Sequence, residues 1–177
     1  MTLSRTGRFF TLGIFPSAHG FGWVVFEGPL SVVAHGIFST YKHKQERCLS
    51  RIDRLMGRYR PETVVFEAAD PTWGRAERIR HLTETMEQLA RDRGHDVRVF
   101  TRDDVRQTFA SEGATTRAGI ASEVARRVPA LAFRLPKPRR FDDGEAKCMS
   151  MYNAAALVLT FYDRQSEGLL EDLASAA

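Results

Sequence analysis

Residues 8–38 read RFFTLGIFPSAHGFGWVVFEGPLSVVAHGIF, and this stretch decides the fold. It contains three runs rich in β-branched and aromatic residues, at 8–15, 20–27 and 31–38. The connections between the runs are short and contain proline, as the turns of consecutive hairpins often do. The sequence therefore predicts that the chain opens with three antiparallel strands.

The spacing of apolar residues changes to a helical one after His43. Apolar residues recur at steps of three and four through Tyr59, which predicts a helix with one buried stripe that Pro61 ends. Thr63-Val64-Val65-Phe66 is then a short apolar run, typical of a parallel strand that is buried on both faces. This strand would present Glu67 at its C-terminal end.

The second half of the chain alternates helical patterns with one more strand. A helix is predicted over about residues 75–93 and a fifth strand over 97–100. Thr101 with Asp104 resembles a capping box that opens a short helix. Residues 129–141 contain three prolines, which predicts a stiff connection that is not helical throughout.

Two more helices complete the pattern. Thr115 or Thr116 can cap the first of them. The final helix should start near Asp142 or Asp143 and run through Tyr162, and its apolar residues on nearly every side predict that it is buried against the sheet.

The predicted order is three antiparallel strands, then helix, strand, helix, strand and a helix-rich end. This is the ribonuclease H-like arrangement: an α/β fold whose five-stranded mixed sheet, three antiparallel strands then two parallel, is flanked by helices. With 177 residues and 43% hydrophobic composition, we expect a single domain over residues 1–177, of which about 164–177 form a C-terminal tail.

Charge and composition exclude some classes of function. A net charge of +4 favours a polyanionic partner without establishing one. The sequence has no apolar run of the roughly 18 residues that a membrane span needs and no signal-peptide pattern, so a cytoplasmic location is expected. Cys48 and Cys148 lie far apart in the sequence, which predicts neither a zinc site nor a disulfide framework.

Two segments of the first hairpin resemble the opening of RuvC-type Holliday-junction resolvases. Leu12-Gly13-Ile14-Phe15-Pro16 stands where family members have Gly-Ile-Asp-Pro-Gly, and Gly22-Trp23-Val24-Val25 follows at the family's spacing. Further segments continue the likeness in order along the chain: Ala34-His35-Gly36, residues 61–67, residues 101–108 and Asn153-Ala154-Ala155-Ala156-Leu157. The chain is similar to this family over most of its length.

The resemblance implies a site of three or four carboxylates that hold two Mg²⁺ ions about 4 Å apart. These carboxylates would lie at the ends of the first and fourth strands and on the last helix. Phe15 stands at the first-strand aspartate position, and Asn153 stands at the last-helix position. Because a phenyl ring offers no lone pair and an amide coordinates weakly, the resemblance implies an impaired or lost two-metal nuclease site.

Glu67 and the carboxylates before the last helix are the remaining candidates for such a site. Glu67 and Asp143 are the candidate catalytic residues, and Glu67, Asp142 and Asp143 are the candidate ligands if a metal binds, with Glu145 as a further one. The alternative for Asp142 and Asp143 is N-capping of the last helix, and the alternative for Glu67 is an ion pair with a nearby arginine. No cofactor is expected apart from Mg²⁺ or Mn²⁺ if the site is active.

Basic residues follow the sheet elements, on the side that the resemblance implies is DNA-facing. The candidates for contacts with nucleic-acid phosphates are Arg75, Arg78, Arg102, Arg106, Arg117, Lys137, Arg139 and Arg140. The alternative is that many of them form solvated helix faces. The expected partners are structured DNA or RNA and a second copy of the chain, which the resemblance implies for a two-fold substrate; no membrane partner is expected.

Three functions remain open from the sequence. The first is a RuvC-like protein that binds branched or structured DNA with an impaired or lost nuclease site. The second is an active metal-dependent Holliday-junction endonuclease with a rearranged carboxylate site. The third is a protein-interaction module without catalytic activity. Phe15 and Asn153 favour the first.

Overall fold

The computed structural model describes residues 8–68, 77–135 and 148–175 of the chain. Five strands form one sheet in these residues: β1 (Phe10–Ser17), β2 (Gly20–Glu27), β3 (Ser31–Ser39), β4 (Thr63–Glu67) and β5 (Asp96–Phe100). Their order across the sheet is β3-β2-β1-β4-β5. β1, β2 and β3 are antiparallel, whereas β4 is parallel to β1 and β5 is parallel to β4. The predicted ribonuclease H-like mixed sheet is confirmed.

The helices cover both faces of the sheet. They are α1 (Lys44–Tyr59), α2 (Glu77–Asp92), α3 (Arg102–Ala110), α4 (Arg117–Arg127) and α5 (Met149–Ser175), with a 3₁₀ turn at Pro129–Arg134. Because side chains alternate along a strand, each strand contributes side chains to two separate hydrophobic cores, one on each face of the sheet. Leu12 and Ile14 pack with α1 and α2 on one face, while Phe15 and Val65 pack with α3, α4 and α5 on the other.

Two glycines let α5 lie directly against the sheet. A Cβ atom on Gly13 would come within 2.5 Å of the Ala154 carbonyl oxygen, and one on Gly22 within 2.1 Å of the Ser150 carbonyl carbon. Real Cβ atoms do not approach backbone this closely, so any larger residue would push the helix away. The two glycines therefore set the position of α5 over β1 and β2.

Local capping signals define the starts of α3 and α4 as predicted. The Thr101 hydroxyl accepts a hydrogen bond from the Asp104 amide at 3.1 Å, and the Asp104 carboxylate accepts one from the Thr101 amide at 2.8 Å. Of the two threonines before α4, Thr116 is the cap, because its hydroxyl accepts a hydrogen bond from the Gly119 amide at 3.1 Å.

The final helix differs from its prediction at the C-terminal end. α5 continues without a break to Ser175 instead of ending near Tyr162, so residues 164–175 of the expected tail belong to the same helix. This segment is exposed but contains leucines, glutamates and other good helix formers and no proline. The predicted start at Asp142 or Asp143 lies outside the described residues.

The first strand also extends further than predicted. β1 continues through Pro16 to Ser17, where the sequence pattern indicates a turn. Pro16 lies beyond the last β1–β4 residue pair, Ile14 with Phe66, so its missing N–H leaves no gap in a ladder on that side. In the described parts of the chain, no helix is both long and apolar enough to cross a membrane.

Candidate functional site

Phe15 and Glu67 lie side by side on the neighbouring strands β1 and β4, at the end of the sheet where β4 stops. The parallel register pairs Ile14 of β1 with Phe66 of β4, so the next residue of each strand reaches the same edge. Glu67 follows Val65 at a two-residue step, which turns its side chain toward the face that α3, α4 and α5 cover. The side chains of Phe15 and Glu67 therefore point into the same region.

Asn153 reaches this region from α5. It precedes Ala154, the residue whose carbonyl oxygen abuts Gly13, so the close approach of helix and strand also fixes Asn153. Asn153, Ala156 and Leu157 follow one another at helical spacing and line a common cavity with Phe15 and Glu67.

The cavity is small, and its described lining combines charged and polar side chains with apolar ones. Its volume is about 30 Å³, enough for one or two water molecules. The polar side chains among its described lining residues are Glu67, Arg102, Arg106, Thr115, Arg117 and Asn153. Apolar side chains, among them Phe15, Val105 and Ile120, form the remaining wall. Three arginines and one carboxylate therefore line the described part of this site.

An arginine occupies the face of the Phe15 ring. The guanidinium carbon of Arg117 lies 5.8 Å from the ring centroid, within the range of a cation–π contact. Phe15 is 6% exposed, so the ring is part of the core as well as of the cavity wall. A positive group thus lies beside the strand end where the resemblance implied a metal-binding aspartate.

Glu67 is the one carboxylate among the described residues of the cavity wall, and it is 9% exposed. Within residues 8–68, 77–135 and 148–175 there is no group of three or more His, Cys, Asp or Glu side chains that could hold a metal ion. A carboxylate and an amide amid three guanidiniums do not fit a pair of hard cations, which need several oxygen ligands. In the described part of the chain, the donor set therefore does not suit two Mg²⁺ ions.

The Asn153 amide has an unused donor. Its Nδ2 atom is buried and makes no hydrogen bond to any other described residue. A buried N–H without a partner is costly, and such groups often face a ligand or an ordered water. Together with the arginines, this donor makes the described cavity wall rich in hydrogen-bond donors.

Ion pairs to α5 fix α3 and α4 above the cavity. Arg164 of α5 donates to the Gln107 side chain at 3.0 Å and lies 3.6 Å from the Asp104 carboxylate, both on α3. Arg127 of α4 donates to the Asp163 carboxylate of α5 at 2.9 Å. These links fix α3 and the C-terminal end of α4 to α5.

The structure divides the predicted phosphate-contacting residues into groups. Arg102, Arg106 and Arg117 meet at the cavity with Glu67. Arg78 instead lines a separate groove beside Lys44. The other candidate residues lie outside the described part of the chain, namely Arg75, Lys137, Arg139, Arg140, Asp142, Asp143 and Glu145. The candidate catalytic and metal-binding roles of Asp142 and Asp143 thus stay predictions.

The sequence pattern does not indicate that Arg102 and Arg117 meet. Each is the first residue of its helix, directly after the caps Thr101 and Thr116. The caps are readable from the sequence, but the turn that brings the two helix starts to one cavity depends on packing against α5. Thr115, which also lines the cavity, is predicted from the sequence only as a helix cap.

Comparison with solved structures defines the fold more closely. A structure of Thermus thermophilus RuvC matches with a TM-score of 0.65 and 20% sequence identity, covering 89% of this chain and 96% of that one. The chain has a RuvC-like fold. A structure of T. thermophilus RuvC in complex with a Holliday junction substrate matches with a TM-score of 0.64 and 19% identity, covering 89% and 96% of the two chains. No protein-family model and no curated protein matches the sequence.

In this RuvC-like fold, the two positions where the resemblance implies aspartates are brought together. Phe15 directly follows the part of β1 that pairs with β4, and Asn153 lies on the helix that crosses it. Fold and activity are separate properties, so the shared architecture alone assigns no chemistry to the cavity.

Proposed function

We propose that the protein binds branched or otherwise structured DNA and does not cut it by a two-metal mechanism. The observation that carries this proposal is the pairing of Phe15 with Arg117 at the end of β1. A ring and a guanidinium at this position disfavour a metal and favour an anion.

The fold and the distribution of charge support binding to nucleic acid. One solved protein with a similar fold is in complex with a Holliday junction substrate. Arg102, Arg106 and Arg117 lie at one edge of the sheet, where positive groups can contact backbone phosphates without reading bases. A substrate with two-fold symmetry would be bound by a homodimer. Measuring the molecular mass of the free protein in solution tests whether it forms one.

The test compares binding and cleavage on one set of substrates. The purified full chain is mixed with labelled four-way DNA junctions, linear duplexes of the same sequences, and four-way RNA junctions, in EDTA, Mg²⁺ or Mn²⁺. We expect tighter binding to the DNA junction than to the duplex, equal affinity in EDTA and in matched Mg²⁺ after correction for ionic strength, and no strand nicking. The affinity should fall steeply as salt is raised, because phosphate contacts release counterions.

Three results would change the proposal. Metal-dependent nicking that disappears in Glu67→Gln would establish the endonuclease with a rearranged site. DNA binding that is absent, or that does not change with salt, would favour the protein-interaction module. Tighter binding to the RNA junction would move the substrate class from DNA to RNA.

A further inference from the structure

We propose that the cavity at the end of β1 is an anion site that binds a phosphate group through Arg102, Arg106 and Arg117, with Phe15 positioning Arg117. The inference deepens the proposed DNA binding and rests on it for one source of the phosphate, a backbone phosphodiester. The other source is free inorganic phosphate. In either case a guanidinium cluster would provide the positive charge that metal ions provide in a two-metal site.

The described charges of the cavity favour an anion. Three guanidiniums and one carboxylate line it, which gives an excess of positive charge among the described residues. Arg106 also lies 3.3 Å from the Asp103 carboxylate, an exposed pair of low strength. A guanidinium has five N–H donors, so it can contact more than one oxygen at the same time.

The helix starts add to this preference. Arg102, Val105 and Arg106 of the first turns of α3 line the cavity, as does Arg117 at the start of α4. Backbone N–H groups of a first helical turn have no partner within the helix, and the partial positive charge there favours anions. The first turn of α4 contains no acidic residue and acts in the same direction as the three side chains, whereas Asp103 and Asp104 offset this effect at the start of α3.

Phe15 changes what the cavity can accept. An aspartate at this position would repel a phosphate unless a metal ion lay between them, whereas the phenyl ring carries no charge. Its face instead contacts Arg117, with 5.8 Å between the guanidinium carbon and the ring centroid. The contact limits the orientations of the guanidinium, so less freedom is lost when it binds a ligand.

The size of the cavity limits the ligand. A volume of about 30 Å³ holds a single phosphate oxygen or a water, not a nucleotide. A phosphate would therefore lie at the mouth with one oxygen inside, where the buried Asn153 Nδ2 atom, which has no partner among the described residues, can donate to it. This arrangement fits a backbone or free phosphate and gives no base selectivity.

The experiment measures two ligands with the same variants. Inorganic phosphate is titrated at constant ionic strength against chloride, with thermal stability as the readout, and the DNA four-way junction is titrated by fluorescence anisotropy. The variants are Arg117→Gln, Arg102→Gln and Phe15→Leu. Arg126→Gln is the matched control, because Arg126 lies on the same helix as Arg117 but is 68% exposed and pairs with Glu123.

We expect the stabilisation by phosphate to disappear in Arg117→Gln and Arg102→Gln and to persist in Arg126→Gln. Junction affinity should fall about tenfold in Arg117→Gln, as for the loss of a charge-assisted hydrogen bond, and its salt dependence should lessen by about one counterion. Phe15→Leu keeps Arg117 but removes the ring, so it should weaken phosphate binding without abolishing it. Arg117→Lys should restore part of the affinity, since it keeps the charge but not the planar fork.

The failures of the two proposals are distinguishable. If Arg117→Gln and Arg126→Gln weaken junction binding equally and phosphate stabilises neither the wild type nor the control, the anion site is overturned while DNA binding stands. If the wild type binds no junction but is stabilised by phosphate through Arg117, the anion site stands with free phosphate as its ligand. Should Arg117→Gln fail to fold, Arg102→Gln decides the outcome in the same way.

Discussion

The guanidinium carbon of Arg117 lies 5.8 Å from the centroid of the Phe15 ring, at the end of the strand that forms the centre of the sheet. The contact joins the first strand to the start of α4, two elements about one hundred residues apart in the sequence. A neutral ring and a positive charge thus occupy the position where the resemblance implies a negative side chain and a metal. If this is the reason that the described donor set suits no metal pair, then restoring carboxylates should restore an affinity for divalent cations.

The double variant Phe15→Asp with Asn153→Asp places two carboxylates beside Glu67. The change removes the nearly buried Phe15 ring and puts a carboxylate in its place, so we expect the variant to unfold at lower temperature than the wild type. Mn²⁺ should then stabilise the variant, by about 2.7 kcal/mol at a hundredfold excess over its Kd, and leave the wild type unchanged. Thermal unfolding across a Mn²⁺ series measures both effects.

The matched control for this variant is Phe15→Asn with Asn153 retained. It removes the same ring and introduces polarity but adds no charge, so it should be destabilised and show no response to Mn²⁺. An equal rise in unfolding temperature with Mn²⁺ in the wild type and in both variants would contradict the argument.

Much of the fold could be predicted from the sequence because the signals are local. The three hairpin-connected strands, the Thr101–Asp104 capping box and the buried run before Glu67 each depend on adjacent residues. The meeting of Arg102 with Arg117 is not local. It depends on how α3 and α4 pack against α5. The spacing of apolar residues along the sequence does not indicate this packing.

The end of α5 differs from its prediction for another reason. Apolar periodicity marks where a helix is buried, and burial of α5 ends near Thr160. Helix propensity continues beyond that point, and an ion pair such as Arg164 with Glu167 supports the exposed turns. A helix can therefore extend past its buried stripe, and the stripe alone underestimates its length.

Gly22→Ala should strongly destabilise the protein. The new Cβ atom would lie 2.1 Å from the Ser150 carbonyl carbon and 2.3 Å from the Met151 nitrogen, and backbone of a buried helix cannot move aside cheaply. We expect a loss of about 3 kcal/mol or more in the free energy of unfolding, measured by urea denaturation. Because Gly22 pairs with Phe15 across the hairpin, the shift of α5 would also disturb the cavity.

The control for Gly22→Ala is the same substitution at an exposed position of a helix. A Cβ atom added to Gly57 of α1 would meet no atom of the described residues within 4 Å, and alanine is the better helix former. Gly57→Ala should therefore be neutral or stabilise by up to about 1 kcal/mol. Similar losses in the two variants would show that α5 does not need the close approach at Gly22.

Arg127→Met should destabilise the packing of α4 on α5. The guanidinium is 18% exposed, donates to the carboxylates of Asp163 and Glu112, and lies over the Phe109 ring at 4.8 Å. Methionine keeps much of the apolar stem but leaves both carboxylates without this partner. We expect a loss of about 2 kcal/mol, which lowers the unfolding temperature by about 4–8 °C in a domain of this size.

Arg126→Met is the matched control for Arg127→Met. Arg126 precedes Arg127 on α4, but it is 68% exposed and its pair with Glu123 lies within one helix. Exposed pairs of this kind contribute little, so its unfolding temperature should stay within about 1 °C of the wild type. Equal effects of the two substitutions would mean that the bridge from α4 to α5 adds no stability.

The capping box of α3 should make stability depend on acid pH. Hydrogen bonds from the Thr101 hydroxyl and amide, with a further contribution from the charge of Arg164, lower the pKa of the Asp104 carboxyl from its usual value. A group whose pKa is lowered by folding stabilises the protein fully above its unfolded pKa, near 3.9 for aspartate, and loses this effect as the pH falls through the folded value. The free energy of unfolding of the wild type should therefore exceed that of Asp104→Asn by about 1 kcal/mol from pH 7 to pH 5. This difference should shrink below about pH 4.

Thermal unfolding of the two proteins between pH 7 and pH 2.5 measures this dependence. Asp103→Asn removes the same charge from the same turn without touching the cap, and its exposed carboxylate pairs with Arg106 rather than with Thr101. It should show a smaller difference from the wild type than Asp104→Asn does between pH 7 and pH 5. A gap between wild type and Asp104→Asn that widens as the pH falls would have the wrong sign for a carboxylate whose pKa folding lowers, and would assign the stability of this helix start to another group.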